Sequence, residues 1–356
     1  MGIEHNKESQ CDPDDIDIRL QHFRLGHIIY MVESKKLAIY DDDSRGIVNT
    51  WTQEQKSLFI ESLLVRLPVP TFYFDGSNSH WKVIDGLQRL RTVYEFIQNK
   101  FRLTSLEYFH DDCENCLYKE LPGYLQDRIP EMEIIAYVIN PGTPQKVRYD
   151  VFRRISGTAT RLNGQEIRYI FFHGQASDFV KKVSALPLFS SLSKEKIGLE
   201  RMEAFEYVNR FVAFLYVLNT YDGDMDDFLY KGMCILDEAG SKQLDHTENA
   251  FVKGLEHSQQ LFGEHIFQRP LPDGSWSECW SKSVFDVCMY NMQKLNGQQM
   301  HALLEHKESF LSDFQEKFSM NGEWSRIYSS DDRQSVIQRF DEFRLLLLNT
   351  VGCDEV

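Results

Sequence analysis

The string Val83-Ile84-Asp85-Gly86-Leu87-Gln88-Arg89-Leu90-Arg91-Thr92 carries the most information about fold and chemistry. An apolar run ends at Ile84, as a strand would. Asp85 follows and can cap a helix, while Gly86 permits a tight turn and close approach of a ligand to the backbone. Beyond it, Leu90, Val93, Tyr94 and Ile97 recur at helical spacing to about Asn99,. A strand–turn–helix junction presents unpaired first-turn N–H groups, which favour phosphate. Gln88 and Arg89 fall in that turn, and a guanidinium donates a forked pair of hydrogen bonds to phosphate or carboxylate. A plainer account is equally open: Asp85 is only a cap, and Arg89 is its salt-bridge partner one turn on. The string is neither a dinucleotide fingerprint nor a Walker loop.

Upstream, Thr71–Phe74 and Trp81–Ile84 are short apolar runs around the turn Asp75-Gly76-Ser77-Asn78-Ser79, the pattern of a hairpin,. Before them, Thr52–Leu67 has one apolar helical side, and Pro68 and Pro70 stop it. Leu25 to Ile39 fits a short helix, after a polar tail and before a turn-rich stretch, Asp41–Gly46. Downstream, residues 101–128 are irregular, Met132–Ile139 resembles a strand, and Gln145–Ile155 and Leu162–Phe172 resemble helices. Gly, Pro and Ser accumulate near 174–194. Beyond that the pattern is helical, near 197–219, 224–237, 241–265, 281–296, 300–318 and 331–349, with a surface loop at Arg269–Gly274. The expected organisation is α+β: a polar tail (1–19), a domain with a small sheet and packed helices (20–175), a connecting segment (176–194) and an all-helical domain (195–356).

Composition narrows the chemistry. Hydrophobic residues make up 42% and aromatics 13% of the 356, enough for a substantial core,. The net charge of −15 argues against a surface that wraps duplex DNA, since phosphate neutralisation supplies much of such affinity,. A small anion in a pocket, where a few Arg invert the local potential, is easier to reconcile with it. No leader pattern and no apolar run long enough to span a membrane is found. With seven scattered cysteines, free thiols in the cytoplasm are the expectation.

Several segments together resemble a known family. Asp85-Gly86-Leu87-Gln88-Arg89 resembles the Asp-Gly-Gln-Gln-Arg signature of the ParB-like domain of unknown function 262, the N-terminal half of GmrSD-type restriction enzymes of modified DNA. Trp51, Ile60-Glu61-Ser62-Leu63-Leu64 and Pro68-Val69-Pro70 resemble its Trp–helix–Pro-x-Pro element. Arg45 resembles the Arg of its Tyr-Gln-Arg element. Phe152-Arg153-Arg154-Ile155-Ser156 and Leu162-Asn163-Gly164-Gln165-Glu166-Ile167-Arg168 resemble its Phe-x-Arg-Ile-Asn … Leu-Asn-x-Gln-Glu-x-Arg segment. Leu87 and Ser156 stand where the family has Gln and Asn.

The resemblance implies a ParB-like fold and a nucleotide-binding, NTP-hydrolysing component of phage or foreign-DNA defence, acting on DNA or a partner effector. A non-catalytic nucleotide-gated sensor and a reader of modified DNA are the alternatives. By position, Asp85 would orient water or Mg²⁺, and Gln88 and Arg89 would touch phosphate oxygens of an NTP. Gly86 would let them approach, Arg45, Arg154 and Arg168 would add cations, and Glu61, Glu166 and Asn163 would orient these groups. The implied partners are nucleotide, modified or foreign DNA, and an effector protein or a second copy, with no membrane. The resemblance is to stand-alone members without the His-Asn-His nuclease, since His246, His257, His265, His301 and His306 form no compact nuclease pattern.

Three further groups have plainer readings. Cys113-Glu114-Asn115-Cys116, near His110, has zinc-like spacing but no second pair, so free thiols are expected,. Asp222, Asp224, Asp226 and Asp227 lack a calcium-loop register and suit a helix start. Phe205, Phe211, Phe214, Phe228, Phe310, Phe314 and Phe318, at helical spacing, suit a core rather than base stacking.

Overall fold

The computed structural model describes residues 13–39, 51–159, 163–194, 196–197, 202–271, 273–319 and 323–352. Arg45, the turn-rich stretch at 41–46 and the first twelve residues of the expected tail lie outside the described residues. The chain divides into two compact units, Met1–Asn163 and Gly164–Val356. The architecture is α+β, with a small sheet in the first unit and helices dominating the second.

The first unit runs β1 (Ile18–Arg24), α1 (Leu25–Glu33), β2 (Leu37–Ala38), α2 (Gln53–Leu64), β3 (Phe72–Asp75), β4 (Trp81–Asp85), α3 (Leu87–Ile97), α4 (His110–Cys113), α5 (Gly123–Glu131), β5 (Glu133–Ile139) and α6 (Gln145–Ala159). Its five strands lie in the order β1-β5-β3-β4-β2. The β3–β4 hairpin is antiparallel, β3 runs parallel to β5, and β1 pairs antiparallel with β5 from Ile18↔Ile139 to Arg24↔Glu133. Alternate β5 residues Ile134, Ala136 and Val138 are buried with Phe72 and Phe74 of β3. Against this face pack Leu25 and Ile28 of α1, Ile60 and Leu64 of α2, and Leu90, Val93 and Phe96 of α3, forming one core from the apolar stripes of three helices and one sheet face.

Helix α2 begins where Thr52 predicts it. The Thr52 hydroxyl accepts from the Gln55 N–H at 3.3 Å while the Gln55 amide oxygen accepts from the Thr52 N–H at 2.9 Å, a reciprocal cap,. It ends short of the prolines, with Arg66 at φ 62°.

Two expectations at the N-terminus are corrected. Residues 18 and 19, assigned to the tail, open β1, and the helix from Leu25 stops at Glu33, with Leu37–Ala38 forming β2. β1 is an edge strand, half exposed along its length, so burial imposes no clean period of two on its sequence,. Helix α1 ends where Lys35 adopts φ 58°.

The second unit contains α7 (Gly164–Phe171), α8 (Gln175–Ser184), α9 (Pro187–Ser193), α10 (Glu203–Val217), α11 (Met225–Glu238), α12 (Ser241–Phe262), β6 (Gln268–Pro270), β7 (Trp276–Trp280), α13 (Lys282–Met292), α14 (Gly297–Glu305), α15 (Lys307–Ser319), α16 (Glu323–Ile327) and α17 (Arg333–Val351). The residues read as a connecting segment include α8 and α9, and α8 packs on α10 and α11. The all-helical expectation gives way at one place. The stretch read as a loop at 269–274 lies within the hairpin β6–β7, whose Trp280 packs edge-on against Phe267 and Tyr207.

Helix α10 is the centre of this unit, touching α7, α8, α11 and α13. Its fully buried Arg210 donates two bonds to Asp286 of α13, Nε to Oδ1 at 3.0 Å and Nη2 to Oδ2 at 2.5 Å. Arg339 of α17, also fully buried, reaches the same carboxylate at 3.5 Å and the Ser330 carbonyl at 2.8 Å. Burial works against the Arg210 charge, but Asp286 outweighs it and holds the guanidinium above its ordinary value. Removing one member of such a pair strands the other in a dry interior. Asp286→Ala is therefore expected to cost about 3–5 kcal/mol in urea denaturation, whereas Lys182→Ala, which removes the exposed partner of Glu248, should cost less than about 1 kcal/mol.

Candidate functional site

Strand β4 delivers Asp85 to the edge of the core, and the chain turns at once into α3. Gly86 makes the turn, with φ 97° and ψ 9°. A Cβ at this position would run into the Phe72 ring on the neighbouring strand and come within 3.3 Å of the Arg89 guanidinium. Both the backbone angle and the close approach require glycine.

Gly86 is also the residue that caps α3, and it contributes no side chain to the first turn. The expectation that Asp85 caps the helix is corrected: no side-chain cap is present, and Asp85 Oδ2 instead accepts from Arg89 Nη2 at 2.8 Å. With φ positive at Gly86, the cap position passes to the glycine and Asp85 remains on the strand.

Arg89 is held from several sides. Its Nη1 donates to the Pro70 carbonyl, its Nη2 donates to the Thr71 carbonyl at 3.2 Å, and its Cζ lies 4.3 Å from the centre of the Phe72 ring. Burial pushes its pKa below the ordinary value, and the Asp85 carboxylate opposes that shift. The Asp85–Arg89 pair foreseen in the plainer reading is therefore present, and the bonds of Arg89 to Pro70 and Thr71 join α3 to the loop leaving α2.

Gln88 is different. Its side-chain Nε2 is buried, with no hydrogen-bond partner among the described residues, and one turn on the buried Thr92 Oγ1 is in the same state. A buried amide donor without an acceptor costs about 1–3 kcal/mol. Gln88 is thus the one member of the signature whose polar end has no structural task.

The remaining expected site residues have the following positions. Glu61, buried on α2, accepts the N–H groups of Glu107, Tyr108 and Phe109 at 3.0, 2.7 and 2.9 Å, so its carboxylate fastens the loop entering α4. Arg154 is exposed on α6, and Asn163 ends the first unit. Arg168 and Glu166 are buried in α7, in the second unit. Arg168 ion-pairs with Asp226 and donates to Gln165 Oε1 at 3.1 Å. The junction thus brings Asp85, Gly86, Gln88 and Arg89 together.

Sequence reasoning missed Arg148. From α6 it donates to Asp75 Oδ2 at 3.1 Å and Ser77 Oγ at 2.7 Å, locking the hairpin turn. Its partners lie more than 70 positions away, beyond any local pattern.

The plainer readings of the other groups fit the geometry. Cys113 and Cys116 are free thiols, and burial pushes the Cys113 thiol up to about 11. Asp224 caps α11, accepting from the Asp226 and Asp227 N–H groups. Phe211, Phe214, Phe228, Phe310, Phe314 and Phe318 are core residues. Among the described residues, no group of three or more His, Cys, Asp or Glu could hold a metal ion, and no helix is long and apolar enough to cross a membrane.

Residues 45–205 match the family model of the GmrSD restriction endonuclease N-terminal domain. The chain carries a GmrSD-type N-terminal domain. The matched span includes the whole β4–α3 junction and, beyond it, Arg168. No curated protein and no solved structure matches the chain. A GmrSD N-terminal domain suggests a role in restriction or defence systems.

Gly86→Ala is expected to destabilise this GmrSD-type domain by about 2–4 kcal/mol, combining the left-handed backbone with overlap against Phe72. A urea midpoint unchanged from wild type would show that Phe72 and the turn yield more easily than their packing implies.

Proposed function

We propose that the GmrSD-type domain binds the phosphates of a nucleoside triphosphate at the N-terminus of α3, within a restriction or defence system. The supporting observation is the buried, unpartnered Nε2 of Gln88 beside a helix start that no side chain caps. A phosphate oxygen supplies the acceptor that Gln88 lacks, and the N–H groups of the first turn supply further donors. Arg89, oriented by Pro70 and Thr71 and paired with Asp85, stands in the same turn, where a phosphate would have to compete with Asp85 for it. In this reading Arg154, on α6 of the same unit, is a further phosphate contact to be tested.

The donor set does not make a metal centre by itself. Asp85 Oδ2 is engaged by Arg89, leaving Oδ1 as one carboxylate oxygen. That fits Mg²⁺ arriving with a nucleotide, which retains water and takes one or two carboxylates plus phosphate oxygens. The ion would neutralise charge on the transferring phosphoryl group. Asp85 would hold it or orient the attacking water, with Gln88 and Arg89 positioning the phosphates.

The closed Asp85–Arg89 pair favours a second reading, a nucleotide-gated sensor without turnover. In that case phosphate binding competes with Asp85 for Arg89, and the changed junction is what a DNA or effector partner detects. The net charge of −15 weighs against the modified-DNA reader, at least through an extended surface,.

Gln88→Ala separates function from folding, because removing a buried donor that makes no bond should leave the protein no less stable than wild type in urea denaturation. Equilibrium binding and phosphate release are measured with ATP, GTP and CTP in the presence of Mg²⁺. Wild-type binding weakened about tenfold or more in Gln88→Ala, with release abolished in Asp85→Asn, supports the hydrolase. Binding without release supports the sensor. Absence of binding by the folded wild-type protein refutes both.

A further inference from the structure

In the second unit, the end of α13, the first half of α17 and the 3₁₀ turn Leu218–Thr220 enclose a cleft of about 240 Å³. From α17 come Arg333, Ile337, Phe340, Asp341 and Arg344, whose spacing places them along one helical face,. From α13 and the residues after it come Tyr290, Asn291 and Lys294.

The cleft reverses the charge of the chain around it. Lys294, Arg333 and Arg344 face a single carboxylate, Asp341, in a protein of net charge −15. The structural work elsewhere in this unit is done by other cations, Arg210 and Arg339, which are buried against Asp286. Among the described residues, Lys294, Arg333 and Arg344 form no ion pair. Arg333 Nε donates to the Tyr221 carbonyl at 3.0 Å, which orients the side chain without neutralising it, and Lys294 Nζ lies 3.8 Å from the centre of the Tyr290 ring.

Leu218, Ile337, Tyr290 and Phe340 supply the apolar and aromatic part of the lining. Tyr290 and Phe340 meet edge to face at 5.2 Å between ring centres. Asn291 is fully buried and in the lining. Its Nδ2 donates to the Val287 carbonyl at 2.8 Å, while its Oδ1 has no donor among the described residues. A ligand that carries a hydroxyl or amine into the cleft offers the donor that this acceptor lacks.

We propose that this cleft is a second ligand site that binds a small organic phosphate of the mononucleotide class. The phosphate lies among Lys294, Arg333 and Arg344, the ring system lies against Tyr290 and Phe340, and a donor group answers Asn291. The volume admits a small molecule and excludes a duplex. The site belongs wholly to the second unit and does not depend on the β4–α3 junction.

The test is calorimetric titration of the full chain at about 0.15 M salt, where exposed charges are partly screened, with adenosine monophosphate and inorganic phosphate as probes. The proteins are wild type, Lys294→Gln/Arg344→Gln and Asp85→Asn. Lys294 and Arg344 are exposed, so the double variant should keep the wild-type urea midpoint. Adenosine monophosphate should bind wild type and Asp85→Asn alike and the double variant about tenfold or more weakly. Inorganic phosphate, lacking the ring, should bind wild type at least about tenfold more weakly than the nucleotide. No binding of adenosine monophosphate, binding unaffected by the double change, or equal affinity for the two probes overturns the proposal. Binding lost only in Asp85→Asn assigns the nucleotide to the first unit, and the cleft proposal falls while the phosphate reading of the junction stands.

Discussion

The first unit is organised around a single aromatic ring. Phe72 lies on β3, its flank pressed against Gly86 and its face under the Arg89 guanidinium. The contact dictates glycine at the turn, sets where α3 begins, and positions Arg89 to gather the Pro70 and Thr71 carbonyls and the Asp85 carboxylate. In a dry setting the guanidinium needs all of these acceptors, because an unpaired buried charge costs far more than a neutral group. The exit of α2, the hairpin and the start of α3 are consequently one mechanical unit. A change at any of them is felt at the others.

That arrangement divides the Asp-Gly-x-Gln-Arg signature into two kinds of residue. Gly86 and Arg89 are required for the junction to exist, so their loss would remove any activity there for reasons of folding alone. Among the described residues, Gln88 makes no side-chain bond through its buried Nε2 donor. Natural cores seldom tolerate this without a reason, and the tolerated defects are where ligand contacts are to be sought. Asp85 stands between the two, with one oxygen in the ion pair.

What was legible in the sequence was local. The core faces of α2 and α3, the Pro68–Pro70 stop and the β3–β4 hairpin all follow from spacing and turn residues within a few positions. The i,i+4 relation of Asp85 and Arg89 was equally visible. The cap assignment failed because it needed the φ of Gly86, which Phe72 imposes from β3. Glu61 was visible as a carboxylate inside a motif, but its three backbone partners lie more than 40 positions downstream. Arg168 likewise meets Asp226 across 58 positions. β1 escaped because an edge strand lacks two-sided burial, and the β6–β7 hairpin because its Arg269–Gly274 stretch has turn chemistry and little apolar alternation.

Charge shows the same division between structural and available groups. An acidic chain must concentrate its positive charge to attract an anion, and a cation already bonded inside the protein contributes little to that. Arg89, Arg91, Arg148, Arg168, Arg210 and Arg339 all donate to internal acceptors. Counting Lys and Arg therefore overstates what either unit can offer a ligand. Lys294 and Arg344 at the α13–α17 cleft are exposed. Few such groups can neutralise a phosphate or two, whereas a long duplex demands a row of them and loses affinity steeply with salt when the row is short. In both units the positions of a few cations, rather than total charge, therefore decide where an anion can be held.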